Sequence, residues 1–358
     1  MAQQFNSLAQ RVGLIKGKIL KHAIPKIYLG TVGVNDSFKK NEGKTVKYRR
    51  FLPHGASTTQ YNRFILDGTG DRTAAYVNPH LTSDGVTPAA ESISAQDVSA
   101  TIEEYAILYG YTNQTADLYE DDIPGEMVKL TGERKGLVNE MVLFGVLKAC
   151  TNKFYGGSGT SRATVNGVIS LNQLRLIARS LKLNHAEPTA NMTRMGKAGN
   201  YGTLPVGKEC FPVWVSTDLE ADLYELPNFT KVENYGDQSI VVAGEVGNCE
   251  GFRFISSPEL VAVQDSGAAV AGSVPALLST SGTNADVYQV IIGSRDAWGH
   301  IGVNKDKMSV TDMKPDQKDK TDPLGQRGYV GCIWYYHAVV LNALQMAVYE
   351  VAARALTD

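Results

Sequence analysis

Two consecutive stretches decide the fold: VSATIEEYAILYGY at 98–111 and DIPGEMVKLTGERKGLVNEMVLFGVLKAC at 122–150. The first is rich in β-branched and aromatic residues, which predicts a strand. The second predicts a long helix, because Asp122 can cap it, Pro124 is tolerated in its first turn and apolar residues recur to about Cys150. Beyond its first turn, Gly132, Gly136 and Gly145 interrupt this helix, and each costs about 1 kcal/mol relative to alanine, which favours a bent or closely packed helix.

The chain before this strand predicts a long excursion from the body of the protein. Residues 44–52 (KTVKYRRFL) have the composition of a strand. Residues 53–98 are polar, carry several turn signals and show little apolar periodicity, which is typical of disorder or of a functional excursion. The two strands that flank this segment predict a two-stranded arm that leaves the body and rejoins it.

The chain after the long helix alternates between helices and strands, which predicts an α+β or α/β body. Ser170 can cap a helix over 171–183, a polar loop follows at 184–207, and Asp218 opens a helix to about Leu226. Short apolar strands are predicted at 211–215, 240–243, 252–255 and 287–292, and a charged loop at 304–326. The tail 329–353 begins as a strand, but periodicity does not decide whether 341–353 is helix or strand.

Two apolar segments raise the question of a membrane. Leu8, Val12, Ile15 and Ile19 form a helical stripe flanked by lysines, which fits either a membrane-surface helix or, as we favour, an N-terminal arm that packs on protein. Residues 334–356 are apolar but interrupted by polar side chains, so we interpret them as buried core.

Composition and charge exclude several classes of protein. The chain has 358 residues, of which 43% are hydrophobic and 20% charged, as in ordinary folded proteins. A net charge of −2 argues against a dedicated nucleic-acid binder. Locally the charge is unbalanced: residues 1–50 carry a net +9 and residues 91–126 a net −9. The four cysteines are widely spaced, which predicts reduced, buried thiols.

No motif predicts catalysis or a cofactor. Gly43-Lys44-Thr45 resembles the end of a phosphate-binding loop, but Phe38 stands where that motif needs glycine. The six histidines lack metal-binding spacing, and the acidic pair Asp121-Asp122 is explained by helix capping. We therefore predict no catalytic residue, no metal and no cofactor, and a protein that is not an enzyme.

Four stretches together resemble the phage N4-type major capsid protein family of tailed bacteriophages: GKTVKYRR at 43–50, QDVSATIEEYAILYGYTNQTADLYED at 96–121, GEVGNCEGFRFISSPEL at 244–260 and DPLGQRGYVG at 322–331. The family commonly has tryptophan after the last motif, where this chain has Cys332 and then Trp334. The resemblance implies an α+β fold of the Hong Kong 97 capsid type. Its expected parts are an N-terminal arm (1–43), an E loop (44–105), a peripheral domain with a long spine helix (106–164), an axial domain (165–300) and a return to the peripheral domain (301–358).

The resemblance also implies a function. The expected role is a major capsid protein that assembles as hexamers and pentamers into an icosahedral phage head around double-stranded DNA, in the virion and after assembly in the host cytoplasm. Expected partners are other copies of the chain, the packaged DNA, portal and scaffolding proteins and a decoration protein, with no membrane. The alternatives are an encapsulin-like compartment shell and an enzyme of unknown chemistry. Some shells of this fold are cross-linked through an E-loop lysine, but no lysine lies between Lys47 and Lys129, which predicts non-covalent shells.

The charge blocks supply candidate subunit-interface residues. The basic block of residues 1–50 and the acidic block of residues 91–126 have equal and opposite charge and flank the E loop, and we expect them to meet at least partly between subunits. The alternative is that both are solvated and the basic arm faces DNA. With Arg327 from the last motif, the candidates are Lys44, Lys47, Arg49, Arg50, Glu103, Glu104, Asp117, Glu120, Asp121, Asp122 and Arg327.

Overall fold

The computed structural model describes residues 24–38, 43–53, 80–88, 90–119, 121–195, 201–236, 241–273, 275–303, 309–318 and 320–356. The predicted helical stripe at 8–19 lies outside these residues, as does Glu120. The α-helices of the described part are α1 (Asn113–Leu118), α2 (Ile123–Lys148), α3 (Leu171–Leu183) and α4 (Glu220–Tyr224). The strands are β1 (Val34–Phe38), β2 (Thr45–Phe51), β3 (Ala95–Thr101), β4 (Glu103–Thr112), β5 (Lys153–Tyr155), β6 (Thr189–Met195), β7 (Tyr201–Ser216), β8 (Thr230–Lys231), β9 (Glu245–Cys249), β10 (Phe252–Ser257), β11 (Val287–Ile292), β12 (Trp298–Val303), β13 (Ser309–Met313), β14 (Arg327–Val340) and β15 (Ala347–Ala352).

The larger sheet forms the main core. Its strands run in the order β5-β15-β11-β7-β10-β9-β8, with β6 beside β7. Alternate residues of β7 face opposite sides: Val213 and Val215 pack against α3, while Trp214 packs against the C-terminal half of α2. Every residue of β10, β11 and β15 is buried, because helices cover both faces of the sheet.

The smaller sheet is built around the long strand β14. Its order is β1-β12-β14-β13, and β4 pairs with β14 along the other side. One face packs on α2: Ile107 and Trp334 lie against Val138 and Val142 of the helix, and Trp334 Nε1 donates to Asn139 Oδ1 at 2.8 Å. Helix α2 therefore contacts both sheets. The third sheet is the hairpin of β2 and β3.

The two long helices confirm the sequence prediction closely. The Asp122 side chain accepts from Gly125 N at the start of α2, and Ser170 accepts from Gln173 N at the start of α3. Each cap satisfies a backbone N–H group that has no partner inside the helix. The glycines of α2 allow close packing at Gly136, where an added Cβ would collide with the Ile27 side chain.

Several local predictions are wrong. The expected polar loop at 184–207 contains β6 and the first part of β7, which pair antiparallel through their backbones. Residues 241–244 form a turn instead of a strand, because Gly244 adopts φ +80° and the next strand starts at Glu245. The helix expected from Asp218 to about Leu226 is confirmed in part, because a 3-10 turn (Thr217–Leu219) leads directly into α4, which ends at Tyr224. The charged loop at 304–326 includes β13, which pairs with β14.

The two ends of the chain take part in the sheets. The tail is a strand, because β15 pairs with β11 and β5 in the larger sheet, so residues 301–358 contribute strands to both sheets. Of the arm predicted at 1–43, residues 24–38 pack into the body: Leu29 is fully buried and β1 pairs parallel with β12. The apolar segment 334–356 is core, as predicted.

Candidate functional site

The hairpin of β2 and β3 places four of the predicted interface residues. Its strands pair antiparallel from Thr45 opposite Thr101 to Phe51 opposite Ala95. Because side chains alternate along a strand, one face of the hairpin points to the body and the other to solvent. The inward side chains Val46, Tyr48, Val98 and Ala100 pack with Ile301, Val339 and Leu341 of the smaller sheet.

Polar contacts fasten the hairpin to the body. Arg50 donates through Nη2 to Gln96 Oε1 at 3.2 Å and to the Leu341 carbonyl at 3.1 Å. The Tyr48 hydroxyl donates to Asp36 Oδ2 at 3.1 Å. Burial and the nearby Asp36 carboxylate raise the pKa of Tyr48 to about 12, so this hydroxyl keeps its proton at neutral pH. The base of the hairpin is therefore fixed.

The outward face carries the charges. Arg49 makes two hydrogen bonds to Asp97, 2.7 Å from Nε to Oδ1 and 2.9 Å from Nη2 to Oδ2. These bonds lower the pKa of the Asp97 carboxyl and raise that of the Arg49 guanidinium. Lys47, on the same outward face, also lowers the pKa of Asp97. Lys44 lies at the edge of the hairpin, and its carbonyl accepts from Ile102 N at 3.0 Å.

Most of the predicted excursion, residues 54–79, lies outside the described residues, but the part described between the hairpin strands, 80–88 and 90–94, exposes large apolar side chains. Leu81 is 78% exposed and Ile93 is 82% exposed, while Phe51 at the end of β2 is 67% exposed. Exposed large apolar side chains that recur along one segment of the chain are typical of a contact with another molecule. The subunit therefore presents an uncovered apolar segment on a fixed base.

The acidic candidates lie on separate elements. Glu103 and Glu104 are exposed at the start of β4, opposite Tyr336 and Tyr335 of β14. Asp117 is exposed on α1, and Asp121 and Asp122 precede α2. Within the described part of one subunit, none of these carboxylates forms an ion pair with Lys44, Lys47 or Arg49.

Arg327 is the first residue of β14. Its side chain is exposed, and its backbone N–H donates to Asp322 Oδ2 at 2.8 Å. It lies opposite Thr112, at the end of β4 that is far from Glu103 and the hairpin. The structure therefore separates Arg327 from the basic candidates.

Sequence reasoning missed two parts of this surface. Asp97 belongs to the acidic block, but its pairing with Arg49 depends on the register of β2 and β3, which neither strand specifies alone. Asp36, the partner of Tyr48, lies on β1 and reaches the hairpin only through the fold. Side chains alternate between the two faces of a strand, and this alternation around Arg49 in β2 and Asp97 in β3 was the sequence signal that could have suggested the pair.

Other kinds of site find no support in the described part of the chain. No group of three His, Cys, Asp or Glu side chains there could hold a metal ion. None of the helices in that part is long and apolar enough to cross a membrane. All four cysteines are free and buried, and burial raises the pKa of the Cys210 thiol to about 11.

Comparison with solved structures identifies the fold as that of phage capsid proteins. The capsid of Ralstonia phage GP4 is 11% identical, with a TM-score of 0.60 and coverage of 97% of this chain and 96% of that chain. The capsid asymmetric unit of cyanophage Pam1 is 12% identical, with a TM-score of 0.60 and coverage of 97% and 98%. The predicted α+β class is therefore confirmed as a mixed α+β phage capsid fold.

A curated relative is similar in sequence. The major capsid protein of Pseudomonas phage KPP21 is 22% identical over 272 residues, which cover 71% of this chain and 67% of that protein. No protein-family model matches the chain. These similar proteins are capsid structural proteins and not enzymes.

Proposed function

We propose that this chain is the major capsid protein of a tailed bacteriophage, the structural subunit of its shell. The observation that carries the proposal is the match to phage capsid structures over nearly the whole chain. The curated relative, named as a major capsid protein, supports it independently. The uncovered apolar segment on the fixed hairpin supports it physically, because such a segment is suited to a contact between subunits.

The finer details belong to the same proposal. The fold is of the Hong Kong 97 type, and the chain is a member of the phage N4-type family. The hairpin of β2 and β3 is the base of the E loop, α2 is the spine helix of the peripheral domain, and strands β6 to β11 belong to the axial domain. Subunits assemble as hexamers and pentamers into an icosahedral head in the host cytoplasm. The head encloses double-stranded DNA, with portal, scaffolding and decoration proteins as further partners.

The test removes the excursion and keeps its base. Replacing residues 55–92 by a short glycine-rich turn preserves the β2–β3 ladder, including the bond from Leu52 N to Ser94 O. We expect this variant to keep the wild-type unfolding midpoint and to form no shells by electron microscopy. Normal shells from this variant would show that the excursion is not an assembly element.

A matched pair of variants refines the test. Leu81→Ser with Ile93→Ser removes exposed apolar groups from the excursion. Val261→Ser with Leu356→Ser removes groups that are 67% and 77% exposed on the body. We expect the first pair to reduce shell yield and the second pair to leave it at the wild-type level. Equal effects would mean that general surface hydrophobicity, and not the excursion, controls yield.

A further inference from the structure

The segment from Lys26 to Val32 is held by side chains that bond to its backbone. Lys26 N donates to Glu259 Oε1 at 3.2 Å, and its carbonyl accepts from Ser257 Oγ at 3.3 Å. At the other end, the Val32 carbonyl lies 3.1 Å from His300 Nε2. Contacts to backbone groups fix the path of a segment whatever its own side chains are.

Glu140 makes the central contact. It lies in α2 with 1% of its surface exposed. Its Oε1 atom accepts from the backbone N–H of both Tyr28 and Leu29, each at 2.9 Å. The Tyr28 carbonyl in turn accepts from Trp214 Nε1 at 3.0 Å. The backbone of Tyr28 is thus hydrogen-bonded both to α2, through Glu140, and to the larger sheet, through Trp214.

The packing around these bonds leaves little space. The Tyr28 ring lies against Gly244, where any Cβ would collide with it. Ile27 crosses α2 at Gly136, where a Cβ would also collide. Gly136 and Glu140 are separated by one helical turn, so they lie on the same side of α2.

The helix itself does not need a carboxylate at this position. Burial disfavours the charged form and raises the pKa of Glu140, while the bonds from Tyr28 and Leu29 act in the opposite direction. A leucine would fill a buried helix position without that cost. The bonds that Glu140 makes are to the backbone of the segment that joins residues 1–23 to the body.

We propose that Glu140 is a positioning residue for the described part of the N-terminal arm, residues 24–38. It fixes the path of this part of the arm against α2 and the larger sheet, and shell assembly depends on this. The inference rests on the proposed capsid function. It extends that function by assigning the attachment of the arm to one acceptor atom in the long helix.

The experiment compares Glu140→Leu with Glu140→Gln in the full chain. Leucine leaves two buried N–H groups unsatisfied, whereas glutamine retains an oxygen acceptor. We expect the amides of Tyr28 and Leu29 to exchange hydrogen at least about ten-fold faster in Glu140→Leu than in wild type. We expect Glu140→Gln to stay near the wild-type rate. Glu126→Leu, which removes a partly exposed carboxylate from the first turn of the same helix, is the control.

Assembly is measured on the same samples by electron microscopy. We expect Glu140→Leu to lose closed shells while its body unfolds at nearly the wild-type midpoint, and Glu140→Gln to assemble normally. The proposal is overturned if Glu140→Leu assembles normally, if Glu140→Gln fails equally, or if Glu140→Leu unfolds the body. If the wild-type chain itself forms no shells, the capsid function fails, and the exchange rates alone decide whether Glu140 anchors the arm.

Discussion

The larger sheet and the hairpin each contain an arginine–carboxylate pair, in opposite surroundings. In the sheet, Arg253 and Glu245 have side chains only 4% and 0% exposed. On the hairpin, Arg49 and Asp97 have side chains 63% and 38% exposed. A buried pair is expensive to break because one charge is left without solvent, whereas an exposed pair contributes little. The arginine–carboxylate pair in the larger sheet is therefore part of the folded core. The pair on the hairpin is available for contacts with other molecules.

The partners of the two pairs differ accordingly. Glu245 also accepts from the Tyr235 hydroxyl at 2.9 Å and from Val242 N at 2.9 Å. This network joins the turn before β9 to β9 and β10. On the hairpin, the charged neighbour that acts on the exposed pair is Lys47, which lowers the pKa of Asp97. Substitutions can test whether the buried pair matters for stability and the exposed pair matters for assembly.

The largest effect is expected at the buried pair. Arg253→Met keeps the length of the side chain but leaves the Glu245 carboxylate buried without its counter-charge. We expect a loss of about 3–5 kcal/mol in the free energy of unfolding, measured in urea. Arg175→Met, in the exposed pair with Glu250, is the control and should change little. If both variants lost the same free energy of unfolding, burial would not decide how much an arginine–carboxylate pair contributes to stability.

A smaller effect is expected from pH, again in the body. His300 lies partly buried between Val32 and Tyr336, with its two ring nitrogens 3.1 Å from the Val32 carbonyl and the Tyr336 hydroxyl. Burial lowers its pKa below the ordinary 6.5. The unfolded chain then binds the proton more readily than the folded chain. Stability from this group is therefore present above pH 6.5 and is lost as pH falls below it.

The pH prediction is tested by comparing wild type with His300→Gln. We expect the free energy of unfolding to fall between pH 7 and pH 5 with a steeper slope in wild type, the difference being at most about 1.4 kcal/mol per pH unit. Asp97 has a lowered pKa and stays ionised in this range. The hairpin pair should therefore contribute nothing to the difference. Identical slopes would show that His300 does not titrate on unfolding.

Much of the fold followed from local sequence signals. Asp122 and Ser170 mark the starts of the two long helices because capping is a local property. Strands β10, β11 and β14 were predicted because a continuous or β-rich apolar run is also a local signal. The hairpin strand β2 was predicted from its content of β-branched and aromatic residues, which is a local signal as well.

The rest depends on long-range pairing. The β6–β7 hairpin has polar stretches whose backbones pair without an apolar pattern. The tail strand β15 pairs with β11 and β5 of the larger sheet. This pairing depends on the neighbouring strands and is not encoded in the sequence of the tail alone. Asp97 and Glu140 were not predicted as functional residues, because each is defined by a partner elsewhere: Arg49 across the hairpin, and Tyr28, 112 residues away in the chain. Register and tertiary packing, which local patterns do not encode, decide such contacts.

The smallest effect on the isolated subunit is expected at the exposed pair, where assembly is the sensitive measurement. Arg49→Glu places two like charges opposite each other on β2 and β3, yet the base remains held by its apolar inner face. We therefore expect an unfolding midpoint close to wild type and a reduced yield of shells. Because screening shortens from about 8 Å at physiological ionic strength to about 3 Å at 1 M salt, the wild-type yield should also fall as salt rises.

Two second-site changes separate a role within the hairpin from a role between subunits. Adding Asp97→Arg to Arg49→Glu restores an opposite-charge pair within the hairpin. Adding Glu103→Lys with Glu104→Lys instead reverses the acidic surface expected on a neighbouring subunit. If the basic and acidic blocks meet between subunits, the second combination should recover part of the shell yield and the first should not. Full recovery of the shell yield by Asp97→Arg would show that Arg49 acts only on Asp97 within its own hairpin. The exposed pair would then be a weak internal ion pair, and not a contact between subunits.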